Sequence, residues 1–200
     1  MGEGKTFGLI ALSAPSGAGK SSLCAELLRR HADRISLSIS TTSRGPRGSE
    51  SEGIEYFFVS REEFEARIQR GGFAEWASVH GNYYGTSRQT LERFWSQGRH
   101  VLLDIDVQGT ASLRAAYPDR TLSIFIAPPD MKELERRLRG RGTDPEEIIR
   151  RRMENAREEM ARSDEFHHVI LNDRFDRACL ELEGLVLDFM NRLEAGTWRG

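Results

Sequence analysis

The stretch FGLIALSAPSGAGKSSL, Phe7 to Leu23, decides the fold. Its first part, Phe7 to Leu12, is apolar and β-prone and reads as a buried strand. Small residues follow, Ala14-Pro15-Ser16-Gly17-Ala18-Gly19, and Lys20-Ser21 then opens an amphipathic helix. Strand, glycine turn, Lys-Ser and helix together make a phosphate-binding loop. Consecutive backbone N–H groups and the positive end of the helix dipole converge on one point and stabilise an anion there. Lys20 adds a mobile positive charge, and the Ser21 hydroxyl a hard oxygen suited to Mg²⁺. The strict pattern begins with glycine, and this chain has Ala14 in that place. Alanine fits wherever the local φ is negative. The plain alternative is an ordinary capped helix after a loop, and lysine usage speaks against it. Lys5, Lys20 and Lys132 are the only lysines, so one directly after Gly19 does not follow from composition.

The rest of the chain is bounded by simple quantities. Its 200 residues, 38% hydrophobic, can bury one sizeable α/β core with room for a small inserted lobe. A net charge of −2 gives no electrostatic reason to expect a nucleic-acid partner. Cys24 and Cys179 lie far apart with no metal-ligand spacing, as in reduced cytosolic proteins. No apolar run is long enough to span a bilayer, and MGEGKTFG lacks a signal-peptide core. A cytoplasmic chain with no membrane partner is expected. Assembly into a homo-oligomer stays open.

After the first helix, Lys20 to about His31, the alternating run Ile35 to Ser40 predicts a strand, followed by a polar loop through Glu50. A second β-prone run covers Ile54 to Val59. Ser60 with Glu63 is a capping box for a short helix that Gly71-Gly72 stops. Phe73 to Ala77 and Gly81 to Thr86 read as short strands, and a helix then runs to about Gln97. Residues 35–95 therefore read as a mixed lobe inserted between two core strands. The core resumes with Arg99 to Asp106, an apolar strand ending in carboxylates. Helix (Gly109 to Tyr117), strand (Leu122 to Ala127) and a helix capped by Asp130 and Glu133 follow. Asp144 as N-cap and Pro145 at the first turn open a long charged helix. A last strand, His167 to Leu171, and a closing helix complete the chain, with Glu194 to Gly200 expected to fray. Alternating strands and helices imply a parallel sheet covered on both faces, with ligands at the carboxyl ends of the strands.

Seven segments, in order, resemble the guanylate kinase family: SAPSGAGKSSL, SISTTSRGPRGSE, GIEYFFVS, FAEWASVHGNYYGTS, LLDIDVQG, RLRGRGT and LND, spread over Phe7 to Leu187. The resemblance implies an α/β fold: a three-layer P-loop core with a parallel sheet, an inserted mixed α/β GMP-binding lobe and a helical lid. It divides a kinase domain of residues 5–187 into core (5–34, 96–136 and 158–187), lobe (35–95) and lid (137–157), with a tail at 188–200. It implies that Ala14, Pro15, Ser16, Gly17, Ala18, Gly19, Lys20, Ser21 and Ser22 hold the ATP phosphates, with Asn172 near adenine. Ser40, Glu75, Thr86 and Asp106 are expected to read the base and sugar of GMP, and Arg44, Arg47, Tyr56 and Tyr84 to grip its phosphate. Lys20, Arg44, Arg137, Arg141 and Arg152 are expected at the transferring group, and Ser21 and Asp104 at Mg²⁺. Two positions vary mildly: Ser43 stands for a threonine and Thr86 for a serine, each keeping the hydroxyl.

These residue types suit the chemistry. Phosphoryl transfer needs two polyanions held in line and their charge neutralised. Arginines spaced like Arg44 and Arg47 can fork onto phosphate oxygens, and tyrosine hydroxyls donate without adding charge. Taken alone, those arginines would be a solvated loop, Asp104 a strand-end residue and Glu75 a surface strand residue. Arg150, Arg151 and Arg157 read as the polar face of a helix. The expected activity is transfer of the γ-phosphoryl group of ATP to GMP, with Mg²⁺. Two alternatives are a binding module of the same fold that recognises a phosphopeptide, and a kinase for another nucleoside monophosphate.

Overall fold

The apolar run after Phe7 forms β1 (Leu9–Ser13), buried along its whole length. The computed structural model describes residues 6–79, 81–140, 142 and 144–200. Four further strands join β1 in one sheet: β2 (Ile35–Ser38), β7 (His100–Asp104), β8 (Thr121–Ala127) and β9 (His168–Leu171). Their order is β2-β7-β1-β8-β9, and every pairing is parallel, with Leu9 opposite both Val101 and Thr121. Parallel neighbours need long crossovers, and here helices supply them on both faces.

The pleat of β1 sorts its side chains between two cores. Ile10 and Leu12 pack with Leu23 and Leu27 of α1 (Lys20–Arg30) and with Leu182, Val186 and Phe189 of α7 (Phe175–Glu194). Leu9 and Ala11 face the other way, toward Leu91 of α3 (Arg88–Ser96) and Leu113 of α4 (Val107–Ala116). The result is the three-layer α/β core expected from the strand and helix alternation.

A smaller sheet of order β4-β3-β6-β5 carries the lobe: β3 (Thr41–Thr42), β4 (Phe57–Phe58), β5 (Phe73–Val79) and β6 (Asn82–Ser87). Helix α2 (Arg61–Gln69) starts on the predicted cap, with Ser60 Oγ accepting from Glu63 N at 3.1 Å. It buries Phe64, whose ring stacks on Phe73 and Tyr83 at 4.3 and 5.2 Å. Two more helices, α5 (Met131–Gly140) and α6 (Glu146–Met160), share an apolar seam of Leu134, Leu138, Ile149 and Met153.

Several boundaries differ from expectation. β2 belongs to the core sheet, paired with β7, and α3 packs its Leu91 into the second core, so the lobe sheet lies within residues 41–87 rather than 35–95. The run Ile54 to Val59 yields only Phe57–Phe58 as strand. Ile54 is 65% exposed, because a turn at Gly53 (φ 73°) directs it to solvent. Pro145, not Asp144, is the N-cap of α6, and Asp144 instead pairs with Arg152 at 3.1 Å. The tail is not frayed: α7 reaches Glu194, and Trp198 is buried against Phe189 at 4.7 Å and His167 at 5.6 Å.

Candidate active site

One wall of a cavity of about 400 Å³ is the loop between β1 and α1. Gly17 and Gly19 sit at φ 95° and 97°, the left-handed region where a Cβ is penalised. That conformation turns the loop sharply into α1, and Ala18 N closes the turn on Pro15 O at 3.0 Å. Ala14, Pro15, Ser16, Gly17, Gly19, Lys20, Ser21 and Ser22 line the cavity, whereas Ala18 is fully buried. From behind, the buried Asn172 donates its Nδ2–H to Ala18 O at 2.7 Å, and Arg137 donates to Asn172 O at 3.0 Å. Asn172 and Arg137 thus brace the loop and do not line the cavity. Arg152 reaches from α6 to within 3.3 Å of Ser16 Oγ.

The carboxyl end of β7 brings acids to the same space. Asp104 pairs with Lys20 Nζ, which also donates to Ile105 O at 3.4 Å. Burial works against the Lys20 charge, but the Asp104 carboxylate outweighs it and holds the ammonium above the ordinary lysine range. Asp106 lines the cavity and caps α4, its Oδ1 accepting from Gly109 N at 2.7 Å.

Ser40, at the entry to the lobe, and Tyr56, Glu75, Ala77, Val79 and Tyr84 within it also line the cavity. Glu75 is only 5% exposed, so the surface reading of that residue does not hold. Burial, with a contribution from the Asp106 charge, pushes its carboxyl up to about 7, although the Thr86 hydrogen bond opposes the shift. Thr86 is fully buried behind it and donates its hydroxyl to Glu75 Oε1 at 2.6 Å, supporting the carboxylate rather than facing the cavity. Burial, then the neighbouring Tyr84 and Asp104, raises Tyr56, so its phenol stays a neutral donor.

Arg44 lies behind those tyrosines, 8% exposed, and does not line the cavity. Its Nε donates to Tyr84 Oη at 3.2 Å, and its two terminal nitrogens fork onto Glu50 at 2.7 and 2.9 Å. The guanidinium also sits 5.2 Å from the centre of the Tyr56 ring. Arg47 is exposed on the same loop, its backbone N–H donating to Glu50 at 2.8 Å. Arg141 lies outside the described residues.

Sequence reasoning missed one acid. Glu159, at the end of α6, lines the cavity, and burial pushes its carboxyl up to about 7 against the pull of Lys20. A signal was present: Glu159 stands seven residues after Arg152 and therefore on the same helix face. The arrangement can hold a polyphosphate on the glycine loop and, in the same cavity, a polar ring system against a buried carboxylate.

The chain is similar to known proteins in sequence and fold. A family model described as guanylate kinase matches residues 7–188. The chain is 48% identical over 180 residues to a guanylate kinase of Idiomarina loihiensis, covering 90% of this chain and 85% of that protein. It is 47% identical over 191 residues to one of Anaeromyxobacter dehalogenans, covering 95% and 84%. The crystal structure of guanylate kinase from Anaplasma phagocytophilum matches with a TM-score of 0.74 and 30% identity, covering 96% of this chain and 90% of that one.

Proposed function

The chain belongs to the guanylate kinase family, and from that premise we propose how its residues divide the transfer of the γ-phosphoryl group from ATP to GMP. The reaction gives ADP and GDP. The observation that carries the division of labour is that the glycine loop and the buried Glu75 line one and the same cavity.

On the donor side, the loop's backbone N–H groups between Ser16 and Ser21, Ala18 excepted because it bonds to Pro15 O, hold the ATP phosphates, and Lys20 follows the charge that develops on the transferring group. Lys20 is held ready by Asp104, which neutralises it until a phosphate takes over. Ser21 and Asp104 both line the cavity and are hard oxygen donors, a pair that fits Mg²⁺. Among the described residues no group of three or more His, Cys, Asp or Glu could hold a metal ion by itself. An ion held there by Ser21 and Asp104 would neutralise phosphate charge.

On the acceptor side, Glu75 accepts from guanine N1–H and the exocyclic N2–H₂, while Ser40 and Asp106 add polar contacts. Tyr56 and Tyr84 donate to the GMP phosphate. Arg44 donates to the Tyr84 oxygen, so the phenolic proton is left to point elsewhere, toward that phosphate. Arg152, already within reach of Ser16, closes α6 over the loop, with α5 and α6 acting as the lid that keeps water from the transfer. Among the described residues no helix is long and apolar enough to cross a membrane, and we take the site of action to be the cytoplasm.

An ADP-release assay run with GMP, AMP, CMP and UMP tests this reading. Turnover with GMP far above the other three is expected. Equal turnover with AMP would sink the assignment of Glu75.

A further inference from the structure

Gly109 lies in the first turn of α4, buried, three residues after the cap Asp106. It is not among the glycines with positive φ, so the backbone there suits any L residue. Glycine inside a helix costs stability relative to alanine, so neither conformation nor propensity explains it. Space does. A Cβ on residue 109 would lie 2.8 Å from Glu75 Oε2, 3.4 Å from Glu75 Cδ and 3.2 Å from Asp106 Oδ1. The first of these is closer than two such atoms approach, so the carboxylate would have to move. It has little freedom to do so, being 5% exposed and bonded through its other oxygen to Thr86 at 2.6 Å.

We propose that Gly109 is a specificity-determining position of this kinase: by carrying no side chain, it leaves the place in which the Glu75 carboxylate lies with both oxygens available to guanine. Gly109 is not among the residues that line the cavity and acts through Glu75 as a positioning residue. A methyl group there drives the carboxylate toward the base or twists it out of the guanine plane. Either movement breaks the two-point match and leaves the P-loop as it was. The inference rests on the reading that Glu75 accepts the guanine donors.

The test is Gly109→Ala, measured for GMP, for ATP and for thermal stability. The expected result is a loss of roughly tenfold or more in kcat/KM for GMP, carried mainly by KM for GMP, with KM for ATP within about twofold of the parent. Tm does not decide the matter, because the gain in helix propensity and the cost of displacing a buried carboxylate oppose each other. A residue that merely supported the helix would show no selective rise in KM for GMP. Glu75→Asp withdraws the carboxylate by one methylene from the added methyl. The double variant should therefore lose less than the product of the two single losses. A Gly109→Ala enzyme with the parent's KM for GMP, or losses that simply multiply, overturns the proposal. If Gly109→Ala alone does not fold, a folded double variant supports the steric conflict, and failure of both overturns it. Glu75→Gln separates the two readings. Undiminished GMP turnover in that variant removes the guanine reading, whereas loss there with a normal Gly109→Ala removes only the role of Gly109.

Discussion

Replacing Glu75 by Gln keeps the side-chain volume and exchanges one acceptor oxygen for an NH₂ donor. The geometry sets the size of the effect. Thr86 Oγ1 donates to Glu75 Oε1, so the amide oxygen of the variant takes that position and its NH₂ occupies the place of Oε2. Guanine then meets one acceptor and one opposed donor where it had met two acceptors. A hydrogen bond to a charged group contributes about 1.5–3 kcal/mol, and leaving a buried donor unpaired costs about 1–3 kcal/mol more. The sum, about 2.5–6 kcal/mol, corresponds to roughly 10²–10⁴ in kcat/KM. Partial protonation of the parent carboxyl at pH 7 changes that by only about a factor of two, since its pKa is raised to about 7. The assay is initial-rate ADP release at saturating ATP with GMP varied, beside the KM for ATP, which should hardly move. A folded Glu75→Gln enzyme within about threefold of the parent for GMP would refute the reasoning, because no arrangement of this cavity could then rely on the carboxylate.

Other expectations follow from the same contacts. Lys20→Met should fold normally, since Asp104 is 39% exposed and stays hydrated, yet lose roughly 10²–10³ in turnover; near-parent rates would show that the loop charge is not used. With its carboxyl raised from 4.5 to about 7, Glu75 holds a proton in the folded state that the unfolded chain has lost across that window. Its contribution to stability therefore falls as pH rises from 4.5 to about 7 and then levels; Glu159, raised likewise, adds a similar slope. The Tm of the parent relative to Glu75→Gln, falling across pH 5–8, isolates the Glu75 part, and a pH-independent difference would contradict it. GMP affinity should climb over the same interval as the acceptor ionises, with proton uptake by buffer measurable by calorimetry near pH 7. Trp198→Ala should lower stability by about 3–5 kcal/mol, because the indole is buried against Phe189; an unchanged Tm would mean the last residues carry no packing.

The parts of the molecule that could be read from the sequence are those where backbone chemistry leaves a local mark. Gly17 and Gly19 occupy positive φ, and a lysine follows at the helix start, so the phosphate loop announces itself within a few residues. The Ser60 and Asp130 caps are equally local, and both appear with the expected bonds. β2 was harder because its alternation of apolar and serine residues suits either sheet. Its place beside β7 depends on residues more than sixty positions away. Glu159 stands in a run of charged residues, and only the seam between α5 and α6 turns it inward. Thr86 and Arg44 enter the candidate site through the resemblance alone, and their positions behind Glu75 and Tyr84 depend on side-chain depth, which spacing does not encode. The tail failed for a similar reason. A single tryptophan after a glycine looks like an end, and it became core because α7 carries it back to Phe189.

The bond from Asn172 to Ala18 spans 154 positions, and it has a consequence for how the enzyme comes into being on the ribosome. β1 is among the first segments synthesised, yet both of its partners, β7 and β8, are made about a hundred residues later. The nucleotide loop that follows β1 emerges early without the strands that flank it and without the amide that braces its carbonyl. Competence to hold a nucleotide is therefore a late event in translation, reached only when residue 172 has cleared the exit tunnel and β9 has docked. A nascent chain arrested before that point carries every residue of the loop without the amide that braces it.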